Sequence, residues 1–308
     1  MRLRPVLSRW LVSIGAMAFF KRFRRPPAFH PGRKVALAHL RRDRRTRTQE
    51  DIRARTRTAG INPGMAVAYV LGRYKMYVDP GDISLGVHLM MDGYWEMWLT
   101  EELAQLVQPG MVVADVGANV GYFTLLMADR VEEQGHVVAF EPNPQAADKL
   151  QRSVRANGFS DRVSVEHDPL GAISGLPVQL YFNPEEAGGA FISTDQWDGF
   201  GVRIDCLTRR MDEHPRAHEI ALAKIDAEGS EERIWESMSG MLAGDVLRTV
   251  VLEWSSCRYS MPDRFLDAIL GEGFSLAYID PDEGILPIDK ERLLGDSGVT
   301  EWLLLLRR

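Results

Sequence analysis

The stretch VVADVGANVGYF, Val112 to Phe123, sets a carboxylate and two glycines where an apolar run of strand type gives way to a helix. Asp115, Gly117 and Gly121 would therefore offer a ligand negative charge and uncovered backbone together. A dinucleotide site uses Gly-x-Gly-x-x-Gly and seats a pyrophosphate at the helix start. Here the spacing is Gly-x-x-x-Gly, and Asp115 would lie close to that double anion, which disfavours it electrostatically. A ligand carrying both a cation and a carboxylate fits better. Asp115 would face the cation, and the peptide N–H groups around Ala118, Asn119 and Val120 would take the carboxylate. The two glycines would admit the ligand without a Cβ in the way, although they suit a tight, closely packed turn equally well.

A second carboxylate narrows the ligand. HVVAFEPNP brings Glu141 to a strand end about twenty residues past the glycines, where Rossmann-type folds place the acid that grips ribose hydroxyls. A nucleoside with a sulfonium and no phosphate answers both sites: S-adenosylmethionine is the expected cofactor. Glu141 could instead cap the helix that follows PNP. After the third strand, Asp168 in EHDPLG is placed to accept from the adenine amino group, as is its neighbour His167, and the same residues suit a structural turn.

A third set of acids implies the reaction. KIDAEGSE gathers Asp226, Glu228 and Glu231 at one lip of the sheet. An alcohol that takes a methyl group must lose a proton, and a positioned base contributes about 10² to 10⁴ in rate. Asp226 and Glu228 lead as that base; Glu253, ending TVVLE, and Glu96, in GYWE, are expected to line the acceptor side, and His88 is a further base. Each has a structural alternative. Asp226 stands two residues after Lys224 on one strand face and could pair with it. Glu231 could complement a helix dipole, and Trp95, Trp98 and Trp254 could stack on a sugar or fill core. Clustered oxygens suit Mg²⁺, but no ligand spacing asserts a metal, so none is assigned.

These residues need a scaffold that brings strand ends together. From Tyr69 onward, strand-like and helix-like segments take turns: MVVADV, HVVAFE, RVSVEH, IALAKID, LRTVVLEW, FSLAYI and EWLLLL, with helices expected near Gly93–Val107, from Val120, from Pro144, over Glu231–Leu242 and over Pro262–Leu270. LPVQLYF and FGVRIDCL add short alternating runs between. This pattern predicts a doubly wound, Rossmann-like α/β sheet of seven strands with helices on both faces. The chain divides by charge. Residues 1–57 hold 17 Lys and Arg against Asp43, Glu50 and Asp51, a net of +14, while residues 58–308 carry a net of −20. We expect a basic arm over 1–57, either disordered or lying on an anionic membrane surface through Leu3, Leu7, Trp10, Ile14 and Met17, and a domain over 58–308 with an N-terminal cap to about 109. The segment His39–Thr58 shows no apolar face and reads as a solvated helix or linker. Two cysteines, Cys206 and Cys257, do not make a disulfide framework, and the longest apolar run, Trp10–Phe20, is about half a membrane span. The expected location is the cytoplasm, with or without peripheral membrane contact.

The ordered set YVDPGDISLGVHLMMDGYWE, ADVGANVGYFTLL, VVAFEPNP, PLGAISGLPVQL and AKIDAEGSEERIW resembles the FkbM family of S-adenosylmethionine-dependent methyltransferases, from about Arg73 to Arg307. The resemblance implies the seven-strand methyltransferase sheet and O-methylation of a sugar, glycolipid or other natural product. Pro169 stands where alanine is usual, and Leu207-Thr208 replaces a Leu-Asp pair. Two other readings remain beside it: methylation of nucleic acid tethered by the basic arm, and a cofactor-binding scaffold without turnover.

Overall fold

The computed structural model describes residues 34–183, 186–193, 201–296 and 300–308. The amphipathic segment expected to meet a membrane, Leu3 to Met17, lies outside them. Among the described residues no helix is long and apolar enough to cross a membrane.

The compact unit begins at Lys34 and not near residue 58. Helix α1 (Arg45–Arg55) packs on the body, with Leu40 ahead of it and Ile52 within it fully buried. Arg45 donates to Glu101 Oε2 at 2.9 and 2.7 Å, and Glu101 is itself almost wholly buried. This stretch has too few apolar residues to show a helical stripe. Its hold on the body comes from the buried Ile52 and Thr48 and from ion pairs of Arg45 with Glu101 and Arg53 with Asp92, which periodicity cannot reveal. An antiparallel sheet follows, β1 (Thr58–Asn62), β2 (Met65–Val70) and β3 (Tyr74–Val78). Then come α2 (Leu85–Met91) and α3 (Met97–Leu106).

The core alternates as expected: β4 (Val112–Val116), α4 (Tyr122–Val131), β5 (His136–Phe140), α5 (Pro144–Ala156) and β6 (Val163–Glu166). The polar stretch forms a separate sheet of β7 (Pro177–Asn183), β8 (Glu186–Ser193) and β9 (Val202–Leu207), ordered β8-β7-β9. The core resumes with β10 (Ile220–Ile225), α6 (Glu231–Glu236), α7 (Ser239–Leu242), β11 (Thr249–Trp254), α8 (Pro262–Gly271), β12 (Ser275–Asp280), β13 (Gly284–Pro287), α9 (Lys290–Gly295) and β14 (Trp302–Arg307).

The large sheet runs β13-β12-β14-β11-β10-β4-β5-β6. β6, β5, β4, β10 and β11 are parallel neighbours, and β14 enters antiparallel between β11 and β12. All seven expected strands are present. The eighth, β13, is a four-residue return after the Gly284 turn, antiparallel to β12, and too short to announce itself. Every residue of β4 is buried, as befits a parallel strand covered on both faces. One apolar layer holds β2, β3, α2, α3, α4 and α5, and the other holds α6, α7 and α8, so the sheet is doubly wound. The single helix expected over Glu231–Leu242 is broken between α6 and α7. Ser237 Oγ donates back to Ile234 O at 2.6 Å, and Asp212 Oδ2 caps the restart by accepting from Gly240 N at 2.9 Å.

This order places the carboxyl ends of β4, β5, β10 and β11 along one edge. It also reverses direction between β4 and β10, where sheets of this kind form their crevice.

Candidate active site

A cavity of about 340 Å³ opens at that edge, lined from the strand ends by Val116, Phe140, Asp226 and Glu253. Its volume lies within the range of small-molecule pockets, roughly 300 to 1,000 Å³. The loop after β4 forms one wall, and its amides are bonded to the end of β5 and to one another. Gly117 N and Ala118 N both donate to Phe140 O, at 3.1 and 3.0 Å. Asn119 N donates to Glu141 Oε2 at 2.7 Å, Val120 N to Asn119 Oδ1 at 2.7 Å and Gly121 N to Ala118 O at 2.9 Å. The amides expected to receive a ligand carboxylate are thus committed to the fold.

The glycines serve the same end. Gly117 has φ +72°, and a Cβ there would lie 1.8 Å from the Asp226 carbonyl oxygen. Gly121 has φ +95°, and a Cβ there would meet Leu150 Cδ1 of α5 at 2.3 Å. Their missing side chains make room for the neighbouring strand exit and for α5, as the tight, closely packed turn of the two readings requires, and Gly117 lines the cavity as well. Gly117→Ala should displace the loop against the β10 exit. We expect a loss of cofactor affinity of at least roughly tenfold, since φ > 0 strain of order 1–3 kcal/mol adds to the clash; titration calorimetry would measure it.

Glu141, 5% exposed, lines the cavity and accepts from Asn119 N and, through Oε1, from Asn143 N at 2.8 Å. Burial outweighs these two amides and pushes its carboxyl up to about 7. Asn143 is the cap of α5, accepting from Gln145 N at 3.0 Å, so Glu141 braces the cap residue without capping the helix itself.

Behind the loop lies a buried charge group. Asp115 is wholly buried and does not line the cavity. β4 and β10 pair in register with Asp115 opposite Lys224, which puts both side chains on one sheet face. Asp115 Oδ2 accepts from Thr124 Oγ1 at 2.6 Å, while Oδ1 has no hydrogen bond and sits 3.8 Å from Lys224 Nζ. Lys224 is 2% exposed, donates to Asp226 Oδ2 at 3.1 Å and lies over the Phe123 ring at 5.2 Å. Burial would lower its proton affinity, but Asp226 and Asp115 together reverse this and hold it raised. The partner of Asp115 is therefore a lysine of the protein, not a ligand cation.

At the opposite end, Glu96, Asp226, Glu228, Glu253 and Glu301 line the cavity with Arg258 among them. Burial, then repulsion from Asp226, pushes Glu96 and Glu228 each up to about 7. The same two effects raise Glu253, and Arg258 pulls it back. Glu96 and Glu228 both hold left-handed backbone, φ 33° and 51°, uncommon for a side chain of this size. Glu231 is fully buried under this end. It accepts from Ala227 N at 2.8 Å, Gly229 N at 3.2 Å and Tyr259 Oη at 3.1 Å, so it shapes the loop without reaching the cavity. Among the described residues no group of three or more His, Cys, Asp or Glu is arranged to hold a metal ion.

The methyltransferase FkbM domain matches residues 115–276, just over half of the chain. The chain belongs to the FkbM methyltransferase family. Methyltransferase sdnD of Sordaria araneosa is 26% identical over 170 residues, 46% of this chain and 65% of sdnD, so the chain spans somewhat less than two thirds of that relative. An S-adenosylmethionine-dependent O-methyltransferase of Thermotoga maritima is similar in structure at a TM-score of 0.36 and 11% identity, covering 69% of this chain and 64% of that one. TYW2 of P. horikoshii, solved with MeSAdo, is similar at a TM-score of 0.42 and 12% identity, covering 80% and 72%. The cofactor of this FkbM methyltransferase is S-adenosylmethionine.

Seen on the FkbM domain, the expected residues sort by place. Gly117, Ala118, Asn119, Glu141, Asp168, Asp226, Glu228, Glu253 and Glu96 all line the cavity, whereas Asp115 and Gly121 stand behind its wall. Asp168 is half exposed and pairs with Arg209 Nε at 3.2 Å, and His167 turns away to Gln151 at 2.8 Å. His88 is exposed, pairs with Asp92 at 3.6 Å and touches the site only through Trp95, 5.3 Å away between ring centroids. Trp95 lines the cavity, Trp98 packs against the core and Trp254 is core outright. Pro169 lines the cavity, and Thr208, in the unusual Leu-Thr pair, ties down the preceding loop by donating to Ile173 O at 2.5 Å. The FkbM reading had no place for Arg258 or Glu301. Arg258 ends a three-residue 3-10 helix after β11 and Glu301 lies just ahead of β14, segments too short for any periodicity to mark them.

Proposed function

We propose that this FkbM methyltransferase transfers the methyl group of S-adenosylmethionine to a hydroxyl of a neutral, hydroxyl-rich acceptor, such as a carbohydrate or the sugar head of a glycolipid. One observation carries the reading: Glu96, Asp226, Glu228 and Glu253 converge on the cavity beside Trp95. Carboxylates accept hydrogen bonds from hydroxyls, and an indole face packs on the apolar face of a sugar ring.

The cofactor fits the remaining residues. Glu141 keeps lone pairs beyond those used by Asn119 and Asn143 and is the acceptor for the ribose diol. Phe140 and Leu170 offer the adenine an apolar wall, with Asp168 beside it as acceptor for the amino group. Lys224 and Asp226, a cation and an anion side by side, match the zwitterionic amino-acid end, since the loop amides are occupied. Bound there, S-adenosylmethionine supplies an electrophilic methyl whose C–S bond breaks as the acceptor's C–O bond forms, leaving a neutral thioether.

The chain's own part is to align the hydroxyl and take its proton. Carboxyl groups titrating near neutrality suit that task, because they accept a proton at pH 7 and release it afterwards. The acids exceed the cations along this lining, so an anionic acceptor would be repelled. This weighs against nucleic acid, whose phosphates would have to enter the same mouth.

The test is transfer of label from methyl-labelled S-adenosylmethionine to a panel of neutral glycans, glycolipids, sugar phosphates and RNA. Product should gain one methyl group on the neutral polyols; label appearing only in the phosphorylated compounds or RNA would overturn the reading. The basic arm is proposed as a contact for anionic membrane. Because residues 34–57 are part of the folded body, the fair comparison removes residues 1–33 only.

A further inference from the structure

Arg258, in the segment between β11 and α8, reaches carboxylates from three separate parts of the chain. Its Nη1 donates to Glu253 at the end of β11, and its Nη2 lies 3.4 Å from Glu228 after β10 and 2.8 Å from Glu301 ahead of β14. The guanidinium side chain is 23% exposed and Glu253 15%, so that pair is shielded more than a surface ion pair is, whereas Glu228 and Glu301 meet the guanidinium from its solvent side, at 37% and 61% exposed. A planar guanidinium offers five donors in fixed directions, which lets one residue set the angles of several carboxylates.

The two cations of the cavity thus divide the acids. Lys224 holds Asp226, and Arg258 holds Glu228 and Glu253. Glu96, at the start of α3, forms no ion pair among the described residues and yet lines the same space.

We propose that Arg258 is the positioning residue of the acceptor end: it fixes Glu228 and Glu253 as hydrogen-bond acceptors that hold the substrate, and leaves Glu96 to receive the hydroxyl proton. The inference rests on the O-methyltransferase reading of the cavity. On transfer, the acceptor oxygen gains the methyl, its O–H bond breaks, and the proton passes to a Glu96 carboxylate oxygen and from there to water.

The charges around each group agree with this division. Glu228 is faced by Asp226, Arg258, Glu231 and Glu301; Glu253 by Asp226, Arg258, Glu228 and Tyr259; and Glu96 by Asp226, Lys224 and Glu301. Burial and Asp226 push all three carboxyls up, and Arg258 opposes this only at Glu228 and Glu253.

Carbon-13 NMR titration of the glutamate carboxyl carbons in the full chain tests the clamp without cofactor or acceptor. Single Glu→Gln variants would assign the signals. Arg258→Met should raise the midpoints of Glu228 and Glu253 by about one pH unit or more, as loss of an adjacent opposite charge requires, and move Glu96 much less. Arg258→Lys should restore part of the shift, and it carries the test should the methionine variant fail to fold. Unmoved midpoints at Glu228 and Glu253, or an equal shift at Glu96, would overturn the clamp.

The proton assignment is read with an acceptor from the panel. Glu96→Gln should lower kcat about 100-fold with little change in acceptor KM, while Arg258→Met should act mainly on KM. The reverse split would remove Glu96 from its role. Failure of every polyol acceptor would instead strike the O-methyltransferase reading and leave the titration result standing.

Discussion

Glu141→Ala is expected to weaken S-adenosylmethionine binding by roughly 10² to 10⁴, because two hydrogen bonds to a charged acceptor contribute roughly 1.5 to 3 kcal/mol each. Two further costs fall on the protein. Asn119 N and Asn143 N lose their acceptor in a buried site, and an orphaned amide there costs about 1 to 3 kcal/mol. Glu141→Gln separates the contributions, since one carbonyl oxygen remains to accept from one amide; it should bind the cofactor with intermediate affinity. Because burial pushes the carboxyl up to about 7 in the ligand-free protein, the fully accepting anion is the minor form below that pH. Affinity in the wild type should therefore rise with pH through the neutral range, and Glu141→Gln should flatten that dependence. Calorimetry across pH 5.5 to 8.5, roughly the span around that midpoint, reads both. An unchanged affinity in Glu141→Ala would remove the residue from the cofactor site.

Lys224→Met is expected to be the most destabilising single change at the site. It strips the counter-charge from Asp115, which is wholly buried and has an oxygen with no hydrogen bond. Breaking one side of a buried pair costs about 3 to 5 kcal/mol, which for a domain of this size lowers Tm by roughly 10 °C. The pH dependence carries a sign. Burial already holds the Asp115 carboxyl above its ordinary value, and Lys224 opposes that. Without the lysine it rises further. A carboxyl raised in the folded state costs stability as pH climbs from the unfolded value through the folded one. The gap between variant and wild type should therefore narrow in acid and widen toward neutrality. Adding Asp115→Asn to Lys224→Met should recover part of the loss, a coupling that calorimetric melting of the four proteins would measure. Additive losses would show that the two side chains do not act as a pair.

The central sheet was readable because its strands are buried on both faces and stand out as unbroken apolar runs. Shorter and more polar pieces were not. β1 and β2 come from TAGINPGMAVAYV, where glycine, proline and alanine dilute any alternation, and α1 is fastened by Ile52 and the Arg45–Glu101 pair. At the site, positions were legible and purposes less so. The glycine spacing marked the loop, yet the space it frees belongs to Asp226 and Leu150. Asp115 was recognisable as a charge in need of a partner. Finding Lys224 more than a hundred residues away requires knowing that β10 lies beside β4 and in what register. Arg258 had no signal at all, since SSCRY carries neither periodicity nor charge pattern. Its importance exists only once three chain segments meet.

The amides of the loop from Gly117 to Gly121 are already bonded, three of them to Phe140 and Glu141 at the end of β5, so the loop does not wait for a ligand to become ordered. Little conformational entropy is then surrendered there when the nucleoside docks, and the product, which has lost a methyl group and the sulfonium charge, meets the same ready-made loop. The loop itself therefore does little to tell spent from fresh cofactor, and that distinction falls to the charged groups farther along the cavity.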